Sequence, residues 1–455
     1  MKLKKIEMNT KIIYVTVFIF GWLSFSANAQ EPLQDSLLTK EEVISRALES
    51  NFGIKIASNN VDIAENNQSI LNSGYLPSLR AVGGYSYDLN DRLTEPEGGE
   101  NVDQRGIEGE AYSTSINLDY TLFDGLGRLY NYKSLKEQYN LSQLEARETI
   151  ENTILQLLTV YYEVARLSQN MEVLEETLQI SQERVKRAQY QFEYGQSNNL
   201  VVLNAKVDVN TDSINIIETR QQLQNTKRDL NVILNRDINN REFQVDTLVD
   251  FIPQLQIESF LEQSAYNNVS LLQAQSNIII SDYDIKVSKS GYLPTVGLTG
   301  SYGWNRNISA ATAFFPGSTT TTDGLSAGIN LSWDLFDGGQ TSVAIQNAKI
   351  NKENQQLQKK QIALQVERDI ANALGNYENK LYIYRVQEEN VLTNQDNFNR
   401  SEEQYRLGQI SSIEFRQAQI NLLDAKTSLN LAKYDAKLAE LQLLQLTGQL
   451  LNIEF

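Results

Sequence analysis

The sequence predicts a mainly α-helical protein with a membrane β part: long helical hairpins forming an α-barrel, joined to a twelve-stranded transmembrane β-barrel shared by three chains, with an internal two-fold repeat. Three observations predict it. An alternating stretch occurs twice, as Ile116-Asn117-Leu118-Asp119-Tyr120-Thr121-Leu122-Phe123-Asp124-Gly125 and as Ile329-Asn330-Leu331-Ser332-Trp333-Asp334-Leu335-Phe336-Asp337-Gly338. Two long proline-free runs keep apolar residues at three- and four-residue steps. The landmarks of the halves share one offset, since Asp124 to Asp337 and Gly195 to Gly408 are each separated by 213 positions.

In the first alternating copy Tyr112, Thr114, Ile116, Leu118, Tyr120 and Leu122 share one side of an extended strand, and Ser113, Ser115, Asn117, Asp119 and Thr121 the other. Leu325, Ala327, Ile329, Leu331, Trp333 and Leu335 repeat the apolar side in the second copy. About ten residues with apolar-out, polar-in alternation and aromatics near the ends describe a transmembrane barrel strand. A half-buried soluble strand has the same period, so the surroundings decide.

Composition narrows the function. The 455 residues contain neither Cys nor His, which removes disulfides, thiolate and imidazole metal sites, and His-dependent catalysis together. No cofactor or metal is expected. A formal charge of −17 argues against a nucleic-acid partner, which needs a basic face, and suits a solvated lumen. Residues 1–29 read as a secretory signal, with Lys2, Lys4, Lys5 and Lys11, an apolar run, and Ala27-Asn28-Ala29 before Gln30. Without Cys, a lipid anchor on the exported chain is excluded. No later run is long and apolar enough for a spanning helix, so a membrane crossing must use strands.

Taken in order, residues 30–240 form a first repeat, 241–259 an equatorial linker and 260–455 a second repeat. Residues 39–73 are helical, with Thr39 and Glu42 as a capping box. Ser73-Gly74-Tyr75-Leu76-Pro77 ends that helix; a strand follows with Leu79, Ala81, Gly83, Tyr85 and Tyr87 on one face, then a loop over 91–109. Residues 126–194 form a helix of about 105 Å at 1.5 Å per residue. A break over 194–200 leads to a return helix of about half that length, roughly 50 Å, over 201–234. The second half repeats the plan: a helix over 260–288, Ser290-Gly291-Tyr292-Leu293-Pro294, a strand pair with Phe314 and Phe315 in its loop, a long helix over 341–407 and a return helix. All six prolines fall outside the proposed helices, as long helices require. Asp124-Gly125 and Asp337-Gly338 read as strand-to-helix caps; Arg128 receives no role.

Four strands per chain cannot close a barrel, for which about eight is the minimum. Open edges would leave backbone amides unpaired in lipid at several kcal/mol each. Sharing between chains solves this, giving about twelve strands in a trimer and a lumen wider than side chains fill. The pre-strand helices at 52–74 and 267–290 have the length to stack end to end on the short return helices and complete a tube of about 100 Å.

The doubled strand-loop-strand plus helical hairpin, with Tyr405-Arg406-Leu407-Gly408-Gln409-Ile410-Ser411-Ser412-Ile413-Glu414 at the second turn, resembles the TolC family of outer-membrane efflux proteins over essentially the whole exported chain. The resemblance implies a homotrimer with a barrel in outer-membrane lipid, a helical tunnel through the periplasm and an equatorial band from the linker and C-terminal segments. It also implies docking onto a periplasmic adaptor, or membrane fusion protein, that joins an inner-membrane transporter. It maps adaptor docking onto Tyr194, Gly195 and Leu200 in the first turn and Leu407, Gly408 and Ile413 in the second. Gly there permits the turn and close approach of a partner backbone, although a plain helix cap needs Gly too. The resemblance places Tyr405 and Glu414 at the periplasmic entrance. Val201, Ile410 and Gln417 occupy positions where charged partners are expected, pointing to a more apolar closure. Asp119 and Asp334 are expected to face the barrel lumen as solvated groups rather than an ion site. Phe455, terminal as in simple barrels, follows a helix and is discounted.

The expected function is an exit duct for small toxic compounds, powered elsewhere. The alternatives are a type I protein secretion duct and a non-conducting periplasmic coiled-coil adaptor, which would have no use for amphipathic strands. An enzyme is not expected: no phosphate loop or paired-carboxylate setting stands out.

Overall fold

The computed structural model describes residues 36–312 and 316–453. The leader at 1–29, Phe314, Phe315 and Phe455 lie outside the described residues. The chain runs through β1 (Ser36–Leu38), α1 (Lys40–Ser50), α2 (Phe52–Asn67), β2 (Ser78–Thr94), β3 (Val102–Asp124), α3 (Gly127–Glu193) and α4 (Asn199–Ile233). It continues through β4 (Phe243–Val245), α5 (Gln254–Asn267), α6 (Val269–Ser290), β5 (Thr295–Ser309), β6 (Ser318–Ser332), α7 (Gln340–Arg406) and α8 (Ser412–Leu446). The duplication is close: α3 and α7 each have 67 residues, about 100 Å, and α4 and α8 each have 35.

Each pre-strand helix is broken once, where the sequence predicted continuity. Asn51 ends α1 and caps α2, its Oδ1 accepting from the Gly53 and Ile54 amides while its Nδ2 donates to the Ile233 carbonyl at 2.9 Å. Asn268 does the same between α5 and α6, accepting from the Leu271 amide and donating to the Leu446 carbonyl at 2.8 Å. One side chain therefore satisfies the start of the upper helix and the end of the return helix below it. This is the expected end-to-end stacking, α2 on α4 and α6 on α8, and it is why the breaks exist. The capping box at Thr39 is half formed: Thr39 accepts from the Glu42 amide, but the Glu42 carboxylate is taken by Arg46.

The four long strands form one antiparallel sheet in the order β2-β3-β5-β6. The register sorts the faces into rows. Leu79, Leu118, Gly300 and Ala327 align, as do Ala81, Ile116, Tyr302 and Leu325 one step up; between them Arg80, Asn117, Ser301 and Ser326 align on the opposite face. The strands reach further into the first loop than predicted, pairing Arg92 with Gln104 past an irregularity at Asn90 and leaving only a short connection. The second copy stops sooner. β6 ends at Ser332, opposite Thr295, so Trp333, Asp334 and Leu335 leave the ladder, whereas β3 continues past a bulge at Thr121 to pair Asp124 with Thr295.

The largest core cluster lies midway along α3. Leu157, Leu158, Tyr161, Tyr162 and Val164 of α3 pack there with Leu38, Phe243, Tyr434, Leu441 and Leu450. The predicted linker carries β4, which pairs in parallel with β1. The Tyr161 hydroxyl donates to the Leu38 carbonyl at 2.8 Å and accepts from the Asp246 amide at 2.9 Å, tying both short strands to α3. Burial pushes the Tyr161, Tyr162 and Tyr434 hydroxyls well above the usual phenol value.

Candidate functional site

The two ends of the molecule carry the features a duct needs. On the sheet, the apolar face is left uncovered: Leu79, Leu325, Ile329 and Leu331 are exposed. Aromatics bound it on both sides. Tyr85 and Tyr112, with ring centroids 4.9 Å apart, lie toward the far end with Tyr87, while Tyr120 and Trp333, whose Nε1 donates to the Tyr292 carbonyl, lie toward the helices. Aromatic belts at both margins of an apolar band mark two membrane–water interfaces. Among the described residues no helix is long and apolar enough to cross a membrane.

The other face is short and polar. Its rows read Ser78, Asp119, Thr299, Gly328; Arg80, Asn117, Ser301, Ser326; Val82, Ser115, Gly303, Gly324; and Gly84, Ser113, Asn305, Thr322. Asp119 sits on this face as expected, beside Arg80, which the sequence reading overlooked. Asp334 does not, because it lies beyond the end of β6.

Where sheet meets tube, Arg128 has a role that the sequence did not give it. The Asp124 carboxylate accepts from the Arg128 amide at 2.8 Å and pairs with its guanidinium, which also reaches the Gly74 carbonyl and lies over the Tyr75 ring. Asp337 caps α7 in the same way, accepting from the Thr341 and Gly339 amides. Both Asp-Gly caps stand as predicted.

At the opposite end the two hairpins turn. Gly195 and Gly408 have φ of +71° and +74°, in the left-handed region. The Gly195 amide bonds the Phe192 carbonyl and the Gln196 amide the Gln191 carbonyl; Gly408 and Gln409 repeat this with Tyr405 and Gln404. Both turns are thus Schellman closures. Nothing lies within 4 Å of a Cβ placed on either glycine, so both face open space. Tyr194, Leu200, Leu407 and Ile413 are all exposed around them.

Between the two tips runs a groove of about 520 Å³, lined by Leu200, Val201, Tyr405, Gly408, Ile410 and Ile413 over a floor with Arg184, Asp208 and Arg416. Tyr194, Gly195 and Leu407 are not among its lining residues; they form the outer surface of the tips. The two expected entrance residues are placed differently from each other. Tyr405 is turned inward, its ring stacked on Phe415 at 4.8 Å with the Arg187 guanidinium over it. Glu414 is exposed and completes a capping box, accepting from the Ser411 amide at 2.7 Å, and these hydrogen bonds hold its carboxyl below the usual 4.5.

Beneath Val201 and Ile410 the groove floor is an ionic clasp. Arg416 of α8 grips Asp212 of α4 with both terminal nitrogens, at 2.7 and 2.9 Å. Ser181 of α3 donates to the same carboxylate at 2.6 Å. Arg184 of α3 pairs with Asp208 and reaches the Ser412 carbonyl and hydroxyl, while Gln419 bonds Ser181 and the Thr177 carbonyl. Three helices from both hairpins are thereby joined. Burial pulls the Arg184 guanidinium below its ordinary value, against the pull of Asp208. A signal was available: Met171, Leu174, Leu178, Ser181, Val185 and Ala188 form one stripe, and Val202, Ala205, Val209, Asp212 and Ile216 another, each with one polar residue at a core step.

Comparisons with known proteins agree with this geometry. A family model described as outer membrane efflux protein matches residues 43–236 and 260–449. The chain is 22% identical over 413 residues to the outer membrane efflux protein BepC of Brucella suis, covering 89% of this chain and 84% of that protein. It is 21% identical over 425 residues to the outer membrane protein TolC of Escherichia coli, covering 90% and 82%. Its fold superposes on the Campylobacter jejuni CmeC outer membrane channel with a TM-score of 0.72 at 18% identity, covering 93% of this chain and 91% of that one.

Proposed function

From the premise that this chain belongs to the outer membrane efflux protein family, we propose that it works as a homotrimer docked at its hairpin tips onto a periplasmic adaptor, passing small toxic compounds delivered by an inner-membrane transporter. The chain itself is an outer-membrane exit duct, with its sheet in the outer membrane and its helices extending into the periplasm.

One observation carries the trimer. At every level the panel has two unlike open edges, one from each repeat. In the sheet they are β2 and β6. In the upper tube they are α2 and α7: Ile56 and Ile63 stand seven apart on one, Val343, Ile350, Leu357 and Leu364 seven apart on the other, each more than half exposed. In the lower tube α4 offers Leu203, Val207, Ile214 and Ile217 at the same degree of exposure. Seven-residue apolar seams seek a partner helix. Unlike edges meeting head to tail form a ring when the rotation closes. Two copies would give eight strands and a filled interior; three give twelve and an open lumen.

The polar sheet face then becomes the lumen wall. Its rows are mainly Ser, Thr, Gly and Asn, with Arg80 and Asp119 toward the helices, and offer dispersed hydrogen bonds, which favours passage over capture. No energy source is needed in the duct, since transport is driven from the inner membrane. Residues 30–240 and 260–455 serve as two wall panels about the linker at 241–259. Tyr194, Gly195, Leu200, Leu407, Gly408 and Ile413 present the adaptor contact.

Export from cells of Gly195→Trp and Gly408→Trp variants tests the docking. Each glycine faces open space, so the fold bears only the cost of a left-handed side chain, about 1–2 kcal/mol. Export should be lost with the trimer intact, whereas normal export would remove the tips from the docking surface.

A further inference from the structure

The groove between the tips holds an unusual share of the molecule's unpartnered polar atoms. Among the described residues, the buried side-chain nitrogens and oxygens without a hydrogen-bond partner include Arg184 Nε, Ser197 Oγ, the Tyr405 hydroxyl and Arg416 Nε. All four belong to residues lining this groove. Tyr405 is 6% exposed and Arg184 4%, so neither donor is supplied by bulk water. Buried donors without acceptors are uncommon, and a cluster of them points to a missing partner.

The chemistry of that partner follows from the donors. Two of the four are guanidinium N–H groups, which only donate, and the two hydroxyls are free to donate. Their complement is a group that only accepts and carries several lone pairs. Charge does not choose the partner, since Arg184 is paired with Asp208 and Arg416 with Asp212; the number of open donors does. Arg416 Nε reaches Asp208 only at 3.6 Å, beyond hydrogen-bonding distance, and remains open to a nearer acceptor. Leu200, Val201, Ile410 and Ile413 rim the site, apolar surface that a docked partner would cover, and the water shed there strengthens a charged hydrogen bond.

We propose that this groove receives a carboxylate side chain, Asp or Glu, from the hairpin tip of the docked protein partner. The proposal rests on the docking reading above and adds the chemistry by which the partner is recognised. A backbone carbonyl has two lone pairs for the four donors, whereas a carboxylate has about four acceptor sites.

The test is a double-mutant cycle on the full trimer in lipid nanodiscs, with its purified cognate periplasmic adaptor as the probe. On the duct side, Ser197→Ala with Tyr405→Phe removes two hydroxyls and leaves the clasp untouched. On the adaptor side, each tip Asp or Glu is changed in turn to Asn or Gln. The hydroxyl deletions should weaken binding about tenfold, the size of one hydrogen bond to a charged group. One adaptor amide variant should show a similar loss, and combining the two should cost no more than either alone. Losses that multiply for every tip acid would overturn the proposal, as would hydroxyl deletions that loosen the trimer instead of the adaptor, or that change nothing. The docking reading fails separately, and this proposal with it, if the unaltered adaptor does not bind or binds equally to the Gly408→Trp trimer. Binding that is lost in Gly408→Trp alongside a multiplicative cycle removes the carboxylate alone.

Discussion

Replacing Asn268 by Ala probes how two helices are made to act as one wall. The side chain is 4% exposed and makes two bonds, accepting from the Leu271 amide at 3.1 Å and donating to the Leu446 carbonyl at 2.8 Å. Loss of an N-cap costs about 1 kcal/mol, and stranding a buried carbonyl costs about 1 kcal/mol more. Together, about 2 kcal/mol corresponds to roughly a thirtyfold fall in protection of the joint, at 1.4 kcal/mol per tenfold. Hydrogen exchange resolved to the first turn of α6 and the last turn of α8 reads this directly. Asn268→Asp separates the two bonds: it keeps the acceptor at the α6 N-terminus, so Leu271 should stay protected while the end of α8 loosens. The reasoning fails if Asn268→Ala leaves the Leu271 amide as protected as before, or if the Asp variant exposes both helices equally.

Gly448→Ala should prevent assembly, because φ there is +70° and an added Cβ would collide with the Asn267 carbonyl; recovery of normal trimer on a native gel would contradict this. Arg416→Ala should destabilise the tips by about 3–5 kcal/mol by stranding Asp212, whose side chain is 1% exposed, and Arg416→Met with Asp212→Leu should restore most of it, as read from denaturant midpoints of the helical signal. The Glu414 cap should weaken with acid: its carboxyl is depressed from 4.5, so its contribution is complete above that value and lost as pH falls through the lowered one. Exchange at the Ser411 amide should follow this, and Glu414→Gln should abolish the pH dependence.

Much of the architecture was legible because length amplifies weak signals. A three- and four-residue apolar step kept over many turns without proline leaves little but a helix, and a repeated offset of 213 fixes the turns of one half from the other. What escaped depended on distant partners. Asn51 and Asn268 break their helices to serve carbonyls at Ile233 and Leu446, which no local window contains. The pairing of Ser36–Leu38 with Phe243–Val245 is three residues long, too short to display a period. Asp334 lies past the end of β6 at Ser332, a boundary that the alternation of residues does not mark. The hairpin turns were visible through Gly195 and Gly408, while the clasp beneath them was not. Ser181 and Asp212 looked like the polar surface of a wetted wall, although their core spacing marked them as buried.

The central claim is that unlike edges close on each other after three copies. The chain has no cysteine, so a pair placed on the two edges reports on that contact alone. Ser86→Cys in β2 combined in turn with Thr320→Cys, Thr322→Cys or Gly324→Cys in β6 should, in one register, give on oxidation in the membrane a covalent ladder ending at trimer. A ladder that stops at dimer, continues past three, or fails to form in any register would contradict the account.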